Sequence, residues 1–194
     1  MKILQLNQGS VDWLRWRETG LGSSDAPIIL GVSPWTTPKE LFERKLKIRA
    51  PQRSNSAMKR GQNLEPVARK IYEDLFGYSI EPVCGVHDTI PWLKVSLDGW
   101  NEAKKVAVEI KAPNRDDHLC ALSGKIPEKY LPQCDHQLLV SGARTLHYVS
   151  YSNYFPKGQD FVLVKHLPIL EALEALLEAE KEFWSWIINK KLPQ

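Results

Sequence analysis

The stretch Ser96-Leu-Asp98-Gly99, followed after a short polar turn by Val106-Ala-Val-Glu109-Ile-Lys111, constrains this chain more than any other. It reads as two paired strands that bring Asp98, Glu109 and Lys111 to one edge of a sheet. Side chains alternate between the faces of a strand, so Glu109 and Lys111 share one face while Val108 and Ile110 point into a core on the other. Two acids and a lysine converging at a strand end can hold a divalent cation and stabilise charge on a phosphate. Phosphodiester hydrolysis is the leading chemistry that needs this set. The bland alternative is an edge strand with solvated alternating charges, a common protection against aggregation. Two features favour the functional reading. Asp98-Gly99 interrupts a hydrophobic run, as a strand does when it opens toward a ligand. A further acid, Glu65, stands in Gly61-Gln-Asn-Leu-Glu65, at the start of a helical pattern running to about Leu75.

A chain of 194 residues, 43% hydrophobic and 25% charged, suits one domain with a sizeable core, and residues 1–194 are read as a single unit. No apolar run approaches a membrane span, and the opening Met1-Lys-Ile-Leu-Gln-Leu-Asn-Gln lacks a signal-peptide core, so a cytoplasmic protein with no membrane partner is expected. Cys84, Cys120 and Cys134 suggest no disulfide scaffold. His118-x-Cys120 and Cys134-x-His136 have the wrong spacing for zinc, because residues two apart on a helix do not share a face. The five histidines, His87, His118, His136, His147 and His166, have no evident acid–base partner in sequence and read as surface or structural groups.

The net charge of +3 is unevenly spread. Residues 44–60 carry seven bases (Arg44, Lys45, Lys47, Arg49, Arg53, Lys59, Arg60) and no acid, leaving the remainder of the chain at −4. A solvated loop would explain such a block in isolation. Beside a phosphodiester site it suits an arm that tracks a phosphate backbone.

The coarse pattern predicts helices over residues 11–19, 25–31, 38–47, 61–75, 127–141 and 168–189. Strands are predicted over 78–83, 85–90, 93–97, 105–112, 144–151 and 159–167. Ser24 or Asp25 is the expected cap of the second helix. Trp92 and Trp100 flank the acid-bearing strand and are expected to wall its cleft. The last helix, about 168–190, carries an apolar stripe of Leu170, Leu173, Leu177, Phe183, Trp184 and Ile187. The fold class is α/β (α+β): a central mixed β-sheet flanked by helices.

In their order and spacing, several blocks resemble the YqaJ-like viral recombinase or alkaline exonuclease family, to which phage lambda exonuclease belongs, within the PD-(D/E)xK nucleases. They are Arg17 with Gly22-Ser-Ser24-Asp25-Ala, Gly61-x3-Glu65, Ser96-Leu-Asp98-Gly99, Glu109-Ile-Lys111-Ala-Pro113 and Tyr130-Leu-Pro-Gln133. The resemblance spans about Trp13 to Val149 and implies a restriction-endonuclease-like fold. It implies that Asp98 and Glu109 bridge the metal with the Ile110 carbonyl, that Glu65 completes a second metal site, and that Lys111 neutralises the scissile phosphate. Arg17, Ser24, Ser96 and Gln133 resemble the pocket for a 5′-terminal phosphate. Met58, just ahead of Lys59 and Arg60, stands where the family has an apolar wedge that splits end base pairs, with Arg53 in the basic arm. Two departures stand out. Gly31-Val-Ser-Pro34-Trp35 replaces an expected phosphate-binding arginine, and the second glutamine follows Gln133 by four residues, at Gln137, instead of two.

Oxygen ligands suit Mg²⁺, which keeps several waters and is satisfied by a few carboxylates plus phosphate oxygens. Two ions per site are expected, with Mn²⁺ as the alternative. The activity implied is 5′→3′ digestion of one strand of linear double-stranded DNA to mononucleotides, leaving a 3′ single strand for annealing-type recombination. The partners implied are double-stranded DNA ends, a single-strand annealing protein and two further copies in a ring-shaped homotrimer, in a phage- or prophage-encoded setting. The competing readings are an endonuclease of the same fold, a non-catalytic DNA-end binding module, and an α/β interaction protein whose charges are incidental.

Overall fold

In the computed structural model, described over residues 1–50 and 55–191, an N-terminal edge strand and a set of helices lead into the central strands of one sheet. In chain order the elements are β1 (Lys2–Leu4), α1 (Val11–Glu18), β2 (Leu21–Gly22), α2 (Ala26–Ile29), α3 (Pro38–Lys45), α4 (Ser56–Phe76), β3 (Glu81–Val86), β4 (Leu93–Asn101) and β5 (Val106–Lys111). Then come α5 (Arg115–Leu122), a 3₁₀ turn at Glu128–Tyr130, α6 (Leu131–Ser141), β6 (Thr145–Tyr151), β7 (Phe161–His166) and α7 (Leu170–Ile188). The sheet order is β1-β3-β4-β5-β6-β7, with the two-residue β2 pairing alongside β4. Pairing is antiparallel except at β5/β6 and β2/β4. The parallel β5/β6 pair needs a long crossover, and α5 with α6 supplies it.

Helices cover both faces. Ala68 and Tyr72 of α4 pack on Val106, Val108 and Ile110, with Val149 beside them. On the other face Cys134 and Leu138 of α6 meet Leu93, Val95, Leu97 and Ala107. A third cluster joins Leu21, Ile28, Leu41 and Phe42 to Phe183 and Ile187 of α7.

Local differences from the sequence reading have identifiable causes. α4 starts at Ser56, five residues earlier than expected, because the Asn55 side chain accepts from the Met58 N–H at 2.9 Å and caps it. The helix then runs through Gly61 and through Pro66, whose missing N–H removes the helical donor to the Gln62 carbonyl next to Glu65. The strands expected at 78–83 and 85–90 are one strand, β3, with a register shift between Glu81 and Val83. β4 runs on through Asp98-Gly99 to Asn101. Gly99 is there because a Cβ would lie 2.4 Å from Ile80 Cδ1. Neither tryptophan walls a cleft: Trp92 stacks on Trp184 at 5.5 Å, and Trp100 is buried, its Nε1 donating to Glu102 at 2.8 Å. Asp25 stands at the N-cap position of α2, but its side chain makes no capping bond; its Oδ2 accepts from the Gly22 N–H and pairs with Lys45. Leu170, at the head of the α7 stripe, is exposed, whereas Glu180 in the middle of that helix is buried.

Candidate active site

The β4/β5 ladder ends at the pair Gly99–Val108. Beyond it the N–H of Ile110 turns to the Asp98 carboxylate, Oδ2 accepting at 2.8 Å. The side chain thus takes the place of a ladder bond, and the two strands part where the acids lie.

β5 carries Glu109 and Lys111 on the face covered by α6, as the two-residue period requires. Glu109 is only 3% exposed, and both of its oxygens are engaged. Oε1 takes Lys111 Nζ at 2.5 Å and Gln133 Nε2 at 2.6 Å, and Oε2 takes Gln137 Nε2. Gln133 Oε1 in turn accepts from Lys111 Nζ at 3.1 Å. Gln133 and Gln137 reach one carboxylate because residues four apart share a helix face. The Gln137 Oε1 atom is buried with no hydrogen-bond partner among the described residues, so this side chain is aimed by its bond to Glu109.

Glu65 enters from α4 on the other side. Arg69, one turn later, pairs with the Glu65 carboxylate and donates through Nε to the Asp98 carbonyl at 3.0 Å. It therefore ties the helix acid to the strand acid. Sequence reasoning missed Arg69 as a site residue, although its i,i+4 spacing from Glu65 was the available signal. It also left Tyr130 out of the site; the ring lies 5.2 Å from Lys111 Nζ.

The electrostatics follow from this packing. Burial pushes the Asp98 carboxyl well above its usual range, and the charges of Glu109 and Glu65 push it further, against Lys111 and the Ile110 N–H. Glu65 is also raised, by burial first, with Arg69 opposing and Glu109 reinforcing the rise. Burial works against the Lys111 ammonium, but Glu109 and Asp98 outweigh it and raise the group above its ordinary value. Lys111 is thus a fixed cation at neutral pH.

Among the described residues, no three acidic, imidazole or thiol groups form a ready cage for a metal ion. Glu65 leans on Arg69, and Glu109 leans on Lys111 and the two glutamines. The donor chemistry nonetheless fits Mg²⁺, which is commonly held by one or two carboxylates with waters and phosphate oxygens. Asp98 and Glu109 are all-oxygen donors whose repulsion raises the Asp98 carboxyl, and a divalent cation would relieve that repulsion.

A second group centres on Ser96, two residues before Asp98 on β4. Arg17 Nη2 donates to Ser24 Oγ at 2.7 Å, and its guanidinium lies 4.6 Å over the Trp13 ring. Trp13 Nε1 donates to Ser96 Oγ at 2.9 Å. The structure thus joins Arg17, Ser24 and Ser96 through Trp13, a link the sequence did not reveal. Gln133 belongs instead to the Glu109–Lys111 cluster.

The basic segment is not a free arm. Arg44 and Lys45 lie on α3, and Lys59 and Arg60 lie on α4. Lys45 pairs with buried Asp25 at 2.7 Å, Lys47 with Glu18 at 2.9 Å, and Arg49 with Glu40 and Glu43. Arg60 donates to the carbonyls of Ala112 and Pro113, just after Lys111. Met58 is exposed near the start of α4, so it is not a core residue. Arg53 lies outside the described residues. Four of the five histidines are held by distant parts of the fold, His118 by Ser150, His136 by Glu180, His147 by Tyr72 and His166 by Asp135, while His87 accepts from the nearby Thr89 N–H at 3.3 Å.

A mixed, mostly antiparallel sheet with helices on both faces and an acid–acid–lysine group where two strands part is the architecture of an alkaline exonuclease fold. The crystal structure of an alkaline exonuclease (LHK-Exo) from Laribacter hongkongensis superposes with a TM-score of 0.82 at 21% identity, covering 94% of each chain. The same enzyme in complex with dAMP gives 0.81 at 22% identity, again over 94% of each chain. A phage-related exonuclease from Haemophilus somnus 129PT gives 0.64 at 11% identity, over 88% of this chain and 96% of that one. Residues 12–144 match the YqaJ-like viral recombinase domain, and the chain belongs to that family. It is 28% identical over 177 residues to the Bacillus subtilis (strain 168) protein YqaJ, covering 90% of this chain. The chain spans about half the length of that curated relative, 55% of it. Among the described residues no helix is long and apolar enough to cross a membrane.

Proposed function

We propose that this protein is a Mg²⁺-dependent deoxyribonuclease that digests one strand of linear duplex DNA from its 5′ end, releasing mononucleotides and leaving a 3′ single strand for annealing-type recombination. The observation that carries the reading is the parting of β4 and β5 at Asp98 and Glu109, with Lys111 held as a cation between Glu109 and Gln133. Asp98 and Glu109, with the Ile110 carbonyl and Glu65, would hold the metal ions. Mg²⁺, or Mn²⁺ in its place, would supply an activated water and charge relief at the leaving oxygen.

The chain's own groups do the rest. Lys111 stabilises negative charge on the scissile phosphate, since its raised proton affinity makes it a poor base at neutral pH. Gln133 and Gln137 hold Glu109 in one orientation, and Arg69 does the same for Glu65. Arg17, Ser24 and Ser96 supply one guanidinium and two hydroxyls, a set suited to a terminal phosphate. An end anchored there presents the next bond to the acids, which sets 5′→3′ polarity. The likeness to LHK-Exo, which was solved in complex with dAMP, supports a nucleotide as the ligand class. A ring of three copies would let a duplex enter and a single strand leave, and a single-strand annealing protein would take up the product.

The test is digestion of linear duplexes labelled at either end, with 5′-phosphate or 5′-hydroxyl termini, with and without Mg²⁺. Early release of labelled 5′ mononucleotide, faster with the phosphate and absent in Lys111→Ala, is the expected result. Internal fragments would point to an endonuclease. End binding without metal-dependent cleavage would point to a binding module.

A further inference from the structure

Trp35 stands in the segment Gly31-Val-Ser-Pro34-Trp35 and is 62% exposed. Its indole stacks on the Tyr130 ring, with centroids 6.4 Å apart and planes 30° apart. Tyr130 is in turn 5.2 Å from Lys111 Nζ. A single ring therefore separates the solvent-facing indole from the lysine of the candidate active site. Lys129 lies 5.1 Å from the Trp35 ring and 5.3 Å from Tyr130.

The platform is held from behind. Lys129 pairs with Asp117 at 2.7 Å, and the Tyr130 hydroxyl donates to the same carboxylate at 3.3 Å. Tyr130 also stacks on buried Tyr148 at 6.1 Å. Three rings thus run from the core to the surface and end at Trp35. An open cleft of about 270 Å³ continues past it, lined by Thr36, Glu40, Arg44 and Arg49 among others.

We infer that Trp35 is a stacking platform for a nucleobase of the strand whose phosphodiester lies at Lys111, and so a substrate-positioning residue. This rests on the nuclease reading of that site. The chemistry favours a base over a phosphate. The cation beside the indole is already neutralised by Asp117, and Arg49 in the cleft is paired with Glu40 and Glu43. The indole itself, largely exposed, remains as the open aromatic surface there. Such faces bind bases with little sequence preference because every base has a π-face. The platform would hold one base in register while its phosphate meets Lys111, Asp98 and Glu109.

The experiment measures affinity for a fluorescent duplex end in Mg²⁺, on a Lys111→Ala background so that the DNA survives. A single abasic nucleotide is placed in turn at each of the first three positions from the 5′ end. With Trp35 present, one of these positions should weaken binding about 5- to 150-fold, the range that one stacked base contributes. Trp35→Ala should weaken the unmodified end by a similar factor and abolish the abasic effect, and Trp35→Phe should restore most of both. Equal binding of unmodified ends with and without Trp35, or an abasic effect that survives Trp35→Ala, would overturn the assignment. The nuclease reading is judged separately, by Mg²⁺-dependent cleavage by the unsubstituted protein. Abasic discrimination without that cleavage would refute the nuclease and keep the platform.

Discussion

Asp98→Asn should make the metal-free protein more stable while abolishing its activity. The β4/β5 ladder ends at Gly99–Val108, and Asp98 and Glu109 are the next residues along the two strands as they part. Facing side chains on paired strands are about 5 Å apart, which sets the upper bound on the repulsion where the strands begin to part. Two carboxylates at that separation repel by about 3 kcal/mol at the effective dielectric that fits most protein charge pairs. Lys111 sits on Glu109 at 2.5 Å and offsets part of this. The net relief from removing one charge is therefore about 1–2 kcal/mol. Asparagine keeps an oxygen for the Ile110 N–H, so that bond survives. For a chain of this size each kcal/mol moves Tm by about 2–4 °C.

The assay is thermal unfolding of both proteins in EDTA and in excess Mg²⁺ across pH. The sign follows from linkage. The Asp98 carboxyl is raised by burial, Glu109 and Glu65, so the native state holds its proton to higher pH than the unfolded chain does. Stability of the unsubstituted protein therefore falls as pH rises through that raised value, and the advantage of Asp98→Asn opens over the same range. Mg²⁺ should raise the Tm of the unsubstituted protein and narrow or reverse the gap. A lower Tm for Asp98→Asn in EDTA, or a gap indifferent to both pH and metal, would refute the repulsion argument.

Other consequences can be checked in the same way. Glu180 is fully buried, takes His136 Nδ1 at 2.6 Å, and has its second oxygen unpartnered among the described residues. Glu180→Ala should cost about 3 kcal/mol in urea unfolding, at the low end for breaking a buried ion pair because the pair is incompletely satisfied. The His136 imidazole is buried, which lowers its pKa, but Glu180 and the Lys94 carbonyl outweigh this and raise it. The pair's contribution is then fully present below the unfolded histidine value and is lost as pH rises through the folded one, so the deficit of the variant should shrink there. Arg17→Ala should erase a preference for 5′-phosphorylated over 5′-hydroxyl ends by about 10-fold or more, the worth of one charge-assisted hydrogen bond, measured as KM on paired substrates. Gly99→Ala places a methyl 2.4 Å from Ile80 and should destabilise by about 1–3 kcal/mol, seen as a lower urea midpoint with unchanged slope.

The acids and lysine were legible in the sequence because strand periodicity is local. Val108 and Ile110 had to turn one way, so Glu109 and Lys111 turned the other. The sheet flanked by helices was legible for the same reason, as were the α4 terminus at Gly77, where φ is +68°, and the Pro38 start of α3. The basic block was misleading. Its composition suggested an arm that tracks a phosphate backbone, but Lys45, Lys47 and Arg49 found carboxylates at Asp25, Glu18, Glu40 and Glu43, the first two of them about twenty or more residues away in sequence.

By itself, the amino-acid sequence determined the periods, the caps and the order of the acid-bearing blocks, because each depends on neighbours within a turn or a strand. The tertiary structure alone decided which of those blocks meet. It brought Gln133 and Gln137 from α6 onto Glu109, tied Arg69 to the Asp98 strand, and linked Arg17 to Ser96 through Trp13. It also ran three rings from Tyr148 through Tyr130 to Trp35 at the surface. Contacts of that kind depend on how helices settle on a sheet, and burial there turns ordinary polar side chains into a perturbed, aligned set. No one-dimensional spacing encodes that.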